Sequence, residues 1–120
     1  MRLLSHSLVT LAAALLAAAC AGPPASRSPA ATDAWLGQWN GPEGTFLRLA
    51  GGDGRYDITV RDLDGPRHFR GTAAGDTIRF ERDGARETIR ATDGDATGMK
   101  WLRGKTDCLT VRAGEGYCRR

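Results

Sequence analysis

Residues 55–62, RYDITVRD, and residues 76–82, DTIRFER, decide the fold of this chain. In the first stretch Tyr56, Ile58 and Val60 alternate with polar residues, and the second stretch shows the same alternation. A period of two places the apolar side chains on one face of a strand and the polar ones on the other. Each stretch is therefore predicted to be a β-strand that buries one face.

Asp-Gly pairs punctuate the chain around these strands, at positions 53–54, 64–65, 83–84 and 93–94. Asp-Gly accommodates the positive φ angles that tight hairpin turns need. Between the turns lie short segments rich in β-branched and aromatic residues, and none shows a sustained helical stripe. The predicted strands are residues 35–40, 45–50, 55–62, 67–73, 76–82, 85–92, 98–103, 107–112 and 116–119.

The connections between these strands are too short for parallel crossovers, so each strand is expected to pair antiparallel with the next. A meander of eight or nine strands can remove its open edges by closing on itself. The sequence thus predicts an all-β fold, a single small antiparallel meander β-barrel formed by residues 34–120. A flattened sandwich of the same strands is the alternative architecture.

The first 19 residues have the organisation of an export signal. Arg2 and a short polar run precede residues 8–19, twelve positions that are apolar apart from Thr10. As a helix they would span about 18 Å, well below the roughly 30 Å of a bilayer's hydrocarbon core. A cleaved signal peptide is therefore predicted, and not a transmembrane helix.

Residues 16–20, LAAAC, end this segment and resemble the lipobox of bacterial lipoproteins. Leu16 lies one position further from the cysteine than the leucine of that family. The resemblance implies that the chain is cut before Cys20, and that Cys20 carries acyl chains such as palmitate, which hold the protein to a membrane. The alternative is an ordinary secretory peptide, whose cleavage would leave Cys20 as a free thiol.

Residues 20–33 follow as a predicted flexible tether, because they are rich in proline and alanine and contain no large apolar side chain. Ala21 follows the cysteine, where lipoproteins retained in the inner membrane of enteric bacteria carry aspartate. The resemblance therefore implies an outer-membrane lipoprotein that faces the periplasm.

Two cysteines remain in the predicted barrel, Cys108 and Cys118. In an exported protein an even pair of this kind forms a disulfide bond by default. A bridge that closes a loop of about ten residues is expected to stabilise the domain by roughly 2 to 3 kcal/mol.

Residues 37–39, Gly-Gln-Trp, resemble the G-x-W motif that opens the lipocalin and avidin barrels, and residues 36–56 are similar to the start of an avidin-type barrel. The resemblance implies that Trp39 closes one end of the barrel. It also implies that an arginine from a late strand, Arg112 or Arg119, packs on the indole ring as a cation–π contact.

The composition excludes several catalytic sites. Residues 33–120 contain no serine and a single histidine, His68, so a Ser-His-Asp triad is impossible. A disulfide would remove both thiols as nucleophiles or zinc ligands. No spacing pairs two glutamates of the set Glu43, Glu81, Glu87 and Glu115 in one cleft. We therefore predict no enzyme activity, no metal and no cofactor.

Two groups of residues are candidate binding sites. Met99 and Trp101 share one face of the predicted seventh strand. With Trp39 and Tyr117 they are expected either to line one end of the barrel for a small ligand or to fill its core. Four arginines form a predicted cationic stripe for anionic glycans or lipid headgroups, unless Glu81 and Asp83 neutralise it across the strands. They are Arg70, Arg79, Arg86 and Arg90.

The predicted function is that of a membrane-anchored envelope lipoprotein that acts as a non-catalytic binding or structural module. Its partners would be the membrane itself and an envelope protein, anionic glycan or lipid. The net charge of +3 is scattered over the chain, which argues against a nucleic-acid partner. The alternatives are a small-molecule carrier that uses the barrel interior and an inhibitor of lysozyme.

Overall fold

Eight strands close into an antiparallel barrel in the computed structural model, which describes residues 29–120. Each strand pairs with the next along the chain, and the first pairs with the last. The predicted meander barrel is thereby confirmed over the sandwich alternative. The strands are β1 (Gly37–Asn40), β2 (Phe46–Gly52), β3 (Arg55–Asp62), β4 (Gly65–Ala74), β5 (Thr77–Arg82), β6 (Ala85–Thr92), β7 (Cys108–Arg112) and β8 (Glu115–Cys118).

The predicted signal peptide, Cys20 and most of the predicted tether lie outside the described residues. Within residues 29–120, no helix is long and apolar enough to cross a membrane.

Two of the predicted Asp-Gly turns have the backbone geometry that tight hairpins need. Asp53 and Gly54 have φ angles of 55° and 77°, and Asp83 and Gly84 have φ angles of 53° and 78°. Two successive positive φ angles match the twist of the strands that they join. These turns connect β2 to β3 and β5 to β6, and the resulting register places Leu47 opposite Val60, Leu49 opposite Ile58 and Ile78 opposite Ile89 on the buried face.

The apolar faces of the strands meet inside the barrel and fill it. An eight-stranded barrel is just wide enough for side chains to occupy its interior. The core consists of Trp39, Leu47, Leu49, Tyr56, Ile58, Val60, Ile78, Phe80, Ile89, Leu109, Val111 and Tyr117, none more than 6% exposed. Trp35, Leu36, Phe69 and Ala73 pack against this cluster from its margins.

A short 3₁₀-helix, Ala31–Trp35, packs at the end of the barrel where β2 turns into β3. Asp33 accepts hydrogen bonds from the backbone N–H groups of Asp53, at 2.9 Å, and Gly54, at 3.2 Å. The Tyr56 hydroxyl donates a third at 2.5 Å, and Thr32 is fully buried beside it. Residues 31–33, which the sequence placed in the tether, are therefore part of the folded domain.

The predicted strand at residues 98–103 is wrong, so the barrel has eight strands, the lower of the two numbers expected. This segment belongs to the β6–β7 loop, residues 93–107, which contains the 3₁₀-helices Asp95–Thr97 and Lys100–Leu102. The loop runs along the outside of β7 and β8, where the Thr97 carbonyl accepts a hydrogen bond from Gly114 N–H at 2.8 Å. Gly98, at φ 73°, gives the reversal between the two helices.

Cys108 and Cys118 form the predicted disulfide bond, between directly opposed residues of β7 and β8. The bridge lies outside the barrel core, beneath Leu102 of the β6–β7 loop, which is 3% exposed. Cys118 is also opposite Asn40, the one position at which β1 and β8 pair. The disulfide therefore links β7 to β8 next to the seam where the barrel closes.

Candidate functional site

Trp39 closes the barrel near the Ala31–Trp35 helix. Its indole N–H donates a hydrogen bond to the Trp35 carbonyl at 2.8 Å, and only 1% of the residue is exposed. The Arg119 guanidinium carbon lies 3.8 Å from the ring centroid, so Arg119 is the arginine that packs on the tryptophan. The contact joins the two ends of the domain and has a structural role.

The four residues expected to line one end of the barrel do not come together. Trp39 belongs to the core, whereas Trp101 projects from the β6–β7 loop outside the barrel and is 73% exposed. The face that Met99 and Trp101 were expected to share does not exist, because neither residue is in a strand. Met99 and Tyr117 border the same cavity, at the end of the barrel opposite the Ala31–Trp35 helix, while Met99 also packs against the cluster of Leu102 and the disulfide.

This opposite end, which we call the mouth, opens into a cavity of about 360 Å³. Each of the four hairpins at this end contributes a residue to its rim: Thr45, Asp62, Asp83 and Gly114. Its walls carry charged side chains, among them Arg67, Arg82 and Glu115. The mouth is thus the polar opening of a barrel whose interior below is apolar.

Arg82 organises a buried network of charges in the mouth. Its guanidinium group donates two hydrogen bonds of 2.8 Å to the Glu115 carboxylate, and it lies 3.5 Å from Glu87. Glu87 accepts two further hydrogen bonds from Arg112, one of them at 2.9 Å. Tyr117 donates to Glu115 at 3.3 Å. The Glu87 and Arg82 side chains are 4% and 10% exposed, so each charge depends on its partners.

The pKa values in the mouth reflect this pairing. Hydrogen bonds from Arg112 lower the pKa of Glu87 against the opposing effect of burial, and the positive charge of Arg82 adds to the decrease. Hydrogen bonding to Glu115 raises the pKa of Arg82. Burial raises the pKa of Tyr117, as does the nearby Glu115 charge. At neutral pH Glu87 is therefore ionised, and the Tyr117 hydroxyl keeps its proton.

This network was not predicted from the sequence. No two glutamates were expected in one cleft, yet Glu87 and Glu115 contact the same arginine. The sequence contains one signal that could have identified Arg82 as inward-facing. The alternation of Ile78 and Phe80 continues to residue 82, which places Arg82 on the same buried face. Glu115 is 33 positions away from Arg82 along the chain, and only closure of the barrel brings the two together.

The predicted arginine stripe lies on the outer face of β4, β5 and β6. Arg70, Arg79 and Arg86 line one groove of about 500 Å³, which we call the arginine groove. Arg90 lies outside it, further along β6 and opposite Thr110. The structure therefore brings three of the four arginines together.

Neutralisation by the neighbouring carboxylates is not observed in the arginine groove. Glu81 also lines the groove and is opposite Arg86 in the register of β5 and β6, but no ion pair joins the two side chains. Asp83 binds Arg67 instead, with a shortest distance of 2.5 Å. Among residues 29–120, none of the three groove arginines is within 4.0 Å of a carboxylate oxygen. Their guanidinium groups remain available to an external anion.

The part of the chain that the structure describes contains no cluster of three or more His, Cys, Asp or Glu side chains that could hold a metal ion. His68 lies on the outer face of β4, where its Nδ1 atom is 3.1 Å from the Thr59 hydroxyl.

Comparisons of the chain with protein-family models, with curated proteins and with solved structures found no match. The mouth and the arginine groove are therefore the candidate functional sites of the described residues.

Proposed function

We propose that this protein is a membrane-tethered, non-catalytic binding module of the cell envelope, which holds an anionic partner in the arginine groove. The observation that carries the proposal is the grouping of Arg70, Arg79 and Arg86 on one outer face, with no ion pair to any of them from residues 29–120. The lipobox-like residues 16–20 support the tether.

The barrel interior favours a surface site over a carrier. A carrier of apolar molecules needs an enclosed space lined by apolar side chains, but here the core residues occupy that space. The mouth does have a volume of about 360 Å³, yet Arg82, Arg112 and Glu115 make its wall charged. An apolar ligand in the mouth would have to displace or desolvate this network, which is unfavourable.

The guanidinium groups of the arginine groove indicate which class of ligand it would bind. Each guanidinium group presents a planar fork of donors that matches the two oxygens of a carboxylate, phosphate or sulfate group. Three such forks on three neighbouring strands fit a ligand with repeated negative charges. An anionic glycan has this character, and so the groove is proposed to bind one.

The anchor is tested by mass spectrometry of the protein extracted from envelopes. We expect the first residue to be Cys20 and to carry the mass of three acyl chains and glycerol. The Cys20→Ala variant should lack this mass and should remain uncleaved at the lipobox. An unmodified terminus at or near residue 20 in the wild-type protein would contradict the tether.

The groove is tested by titrating the mature protein in detergent with dextran sulfate, a model anionic glycan, and with neutral dextran. We expect Arg79→Gln to weaken dextran sulfate binding about tenfold, because a charge-assisted hydrogen bond contributes roughly 1.5 kcal/mol or more. Arg61→Gln is the matched control, since Arg61 is also an exposed arginine of a neighbouring strand and lies outside the groove.

Equal weakening by Arg61→Gln and Arg79→Gln would show that net charge alone drives binding, and would contradict a site in the groove. Binding of neutral dextran with the same affinity would contradict the selection of an anion.

A further inference from the structure

Trp101 is held on the outside of the barrel by a rigid loop. It is 73% exposed, while the next residue, Leu102, is 3% exposed and packs over the disulfide. The β6–β7 loop is closed at its base by a hydrogen bond of 2.7 Å from Gly94 N–H to the Lys105 carbonyl. Gly104 N–H donates to the Asp95 carboxylate at 3.0 Å. The loop therefore presents a large apolar side chain to the outside at a fixed position.

Positive charge surrounds this tryptophan. The Lys100 ammonium nitrogen lies 5.8 Å from the ring centroid, and Arg103 follows two positions after Trp101. A surface depression of about 280 Å³ at the seam of β1 and β8 is bordered by Trp101 together with Lys105, Arg119 and Arg120. We call Trp101 and these five basic residues the tryptophan patch.

Most of the charge in the tryptophan patch is unpaired. Within residues 29–120, Lys100, Arg103 and Lys105 form no ion pair, and neither does Arg120. Arg119 is the exception, because its Nε atom lies 3.4 Å from the Asp107 carboxylate. An exposed aromatic ring with several unpaired cations nearby is suited to a surface that is both anionic and partly apolar.

We propose that the tryptophan patch docks on a bilayer of anionic phospholipid. Tryptophan rings settle at the level of the headgroups, where the apolar body and the indole N–H are both accommodated. Each Lys or Arg close to an anionic bilayer contributes about 1 kcal/mol of attraction.

The length of the chain permits this docking, given the lipid anchor on Cys20 that is part of the proposed function. Nine peptide units separate Cys20 from Pro29, where the described residues begin. A chain of that length spans at most about 32 Å. The anchor therefore keeps the barrel close enough to the bilayer for its wall to touch the headgroups.

Docking would orient the arginine groove. In a closed barrel of eight strands in sequential order, the seam between β8 and β1 is on the side opposite β4 and β5. The tryptophan patch lies at that seam, and the arginine groove spans β4 to β6. The bilayer contact consequently turns the groove away from the membrane and toward a partner in the adjacent compartment.

The mature full chain, extracted from envelopes and reconstituted with vesicles, tests this inference. Vesicles are prepared from phosphatidylcholine alone or mixed with phosphatidylglycerol, in both cases with brominated acyl chains that quench nearby tryptophan fluorescence. The fluorescence of Trp101 is obtained by subtracting the signal of the Trp101→Phe variant from that of the wild-type protein. This subtraction removes the contributions of Trp35 and Trp39, which both proteins contain. We expect quenching of Trp101 to be at least about twofold stronger in the anionic vesicles, as the attraction of several cations requires.

The triple variant Lys100→Gln, Arg103→Gln, Lys105→Gln should lose this difference between the two vesicles. Arg61→Gln, on the wall of β3, should keep it. An unquenched Trp101 on anionic vesicles would overturn the docking, and so would quenching that the triple variant leaves unchanged. Crosslinking of Trp101-region variants to an envelope protein in intact envelopes, with no quenching of Trp101 in the vesicles, would identify a protein partner in place of the bilayer.

Flotation of the same samples separates this inference from the proposed function. Protein that floats with phosphatidylcholine vesicles is anchored by its lipid, whether or not Trp101 is quenched. Protein that floats only with anionic vesicles, with Trp101 quenched, supports the docking and contradicts the anchor. Protein that floats with neither vesicle contradicts both.

Discussion

Replacing Arg82 with methionine should lower the free energy of unfolding by about 3 kcal/mol, because breaking a buried ion pair leaves uncompensated charge at a site that is largely shielded from water. Methionine keeps much of the length of the side chain, so loss of charge dominates loss of packing. Glu115 would lose both of its 2.8 Å hydrogen bonds, and Glu87 would retain only Arg112. Denaturation with urea, followed by far-ultraviolet circular dichroism, measures the change.

Arg67→Met is the matched control. Arg67 also binds a carboxylate through two hydrogen bonds, but its side chain is 47% exposed and that of Asp83 is 69% exposed. Exposed ion pairs contribute about 1 kcal/mol or less, since water and salt screen them. A loss of stability in Arg82→Met no greater than in Arg67→Met would contradict a stabilising role for the buried network.

The wild-type protein and the Arg82→Met variant should differ in how their stability depends on pH. The pKa of Glu87 is lower in the folded state than its usual value. The stability that this provides is present above the unfolded pKa, near 4.3, and is lost as the pH falls through the folded pKa. Arg82→Met removes one of the cations responsible, so its deficit relative to wild type should shrink below about pH 4. A deficit independent of pH would point to packing as its cause.

Trp39→Ala should destabilise the barrel by about 3 to 5 kcal/mol, the usual cost of removing a buried aromatic side chain. Trp39 lies in the apolar core and joins three parts of the domain. Its ring packs in the interior, its N–H binds the Trp35 carbonyl, and Arg119 stacks on its face. Thermal unfolding is a suitable measurement, with a fall in Tm of at least about 10 °C expected for a domain of this size.

Trp101→Ala provides the comparison for Trp39→Ala. It deletes the same side chain from a position that is 73% exposed, where substitutions typically change stability by less than about 0.5 kcal/mol. If the two variants unfolded at similar temperatures, the assignment of Trp39 to the core and of Trp101 to the surface would be contradicted.

Much of the barrel was predictable because its strands carry local signals. The strand predicted at residues 85–92 agrees in both bounds with β6, and that at 55–62 agrees with β3. Alternation determines which face of a strand is buried, and Asp-Gly turns determine where the chain reverses, without reference to distant residues. The disulfide was predictable by counting, since only Cys108 and Cys118 remained to pair.

The β6–β7 loop shows where local signals fail. Residues 98–103 contain large apolar side chains at alternating positions, which predicted a strand. In the structure Leu102 is buried against the disulfide on the outside of the barrel, and Trp101 is exposed. The burial of this segment is set by β7 and β8, which the loop covers, and not by its own periodicity. An apolar residue can be buried on either side of a barrel wall, and alternation does not distinguish the two.

The sequence by itself therefore determined the class of the fold, the order of the strands, the disulfide and the arginines on one outer face. The tertiary structure decided the charge network of the mouth and the separation of the tryptophan patch from the arginine groove. The physical reason is the range of each effect. Periodicity and turn geometry act over a few residues, whereas the pairing of Arg82 with Glu115 and the opposition of two surfaces arise only when β8 closes on β1.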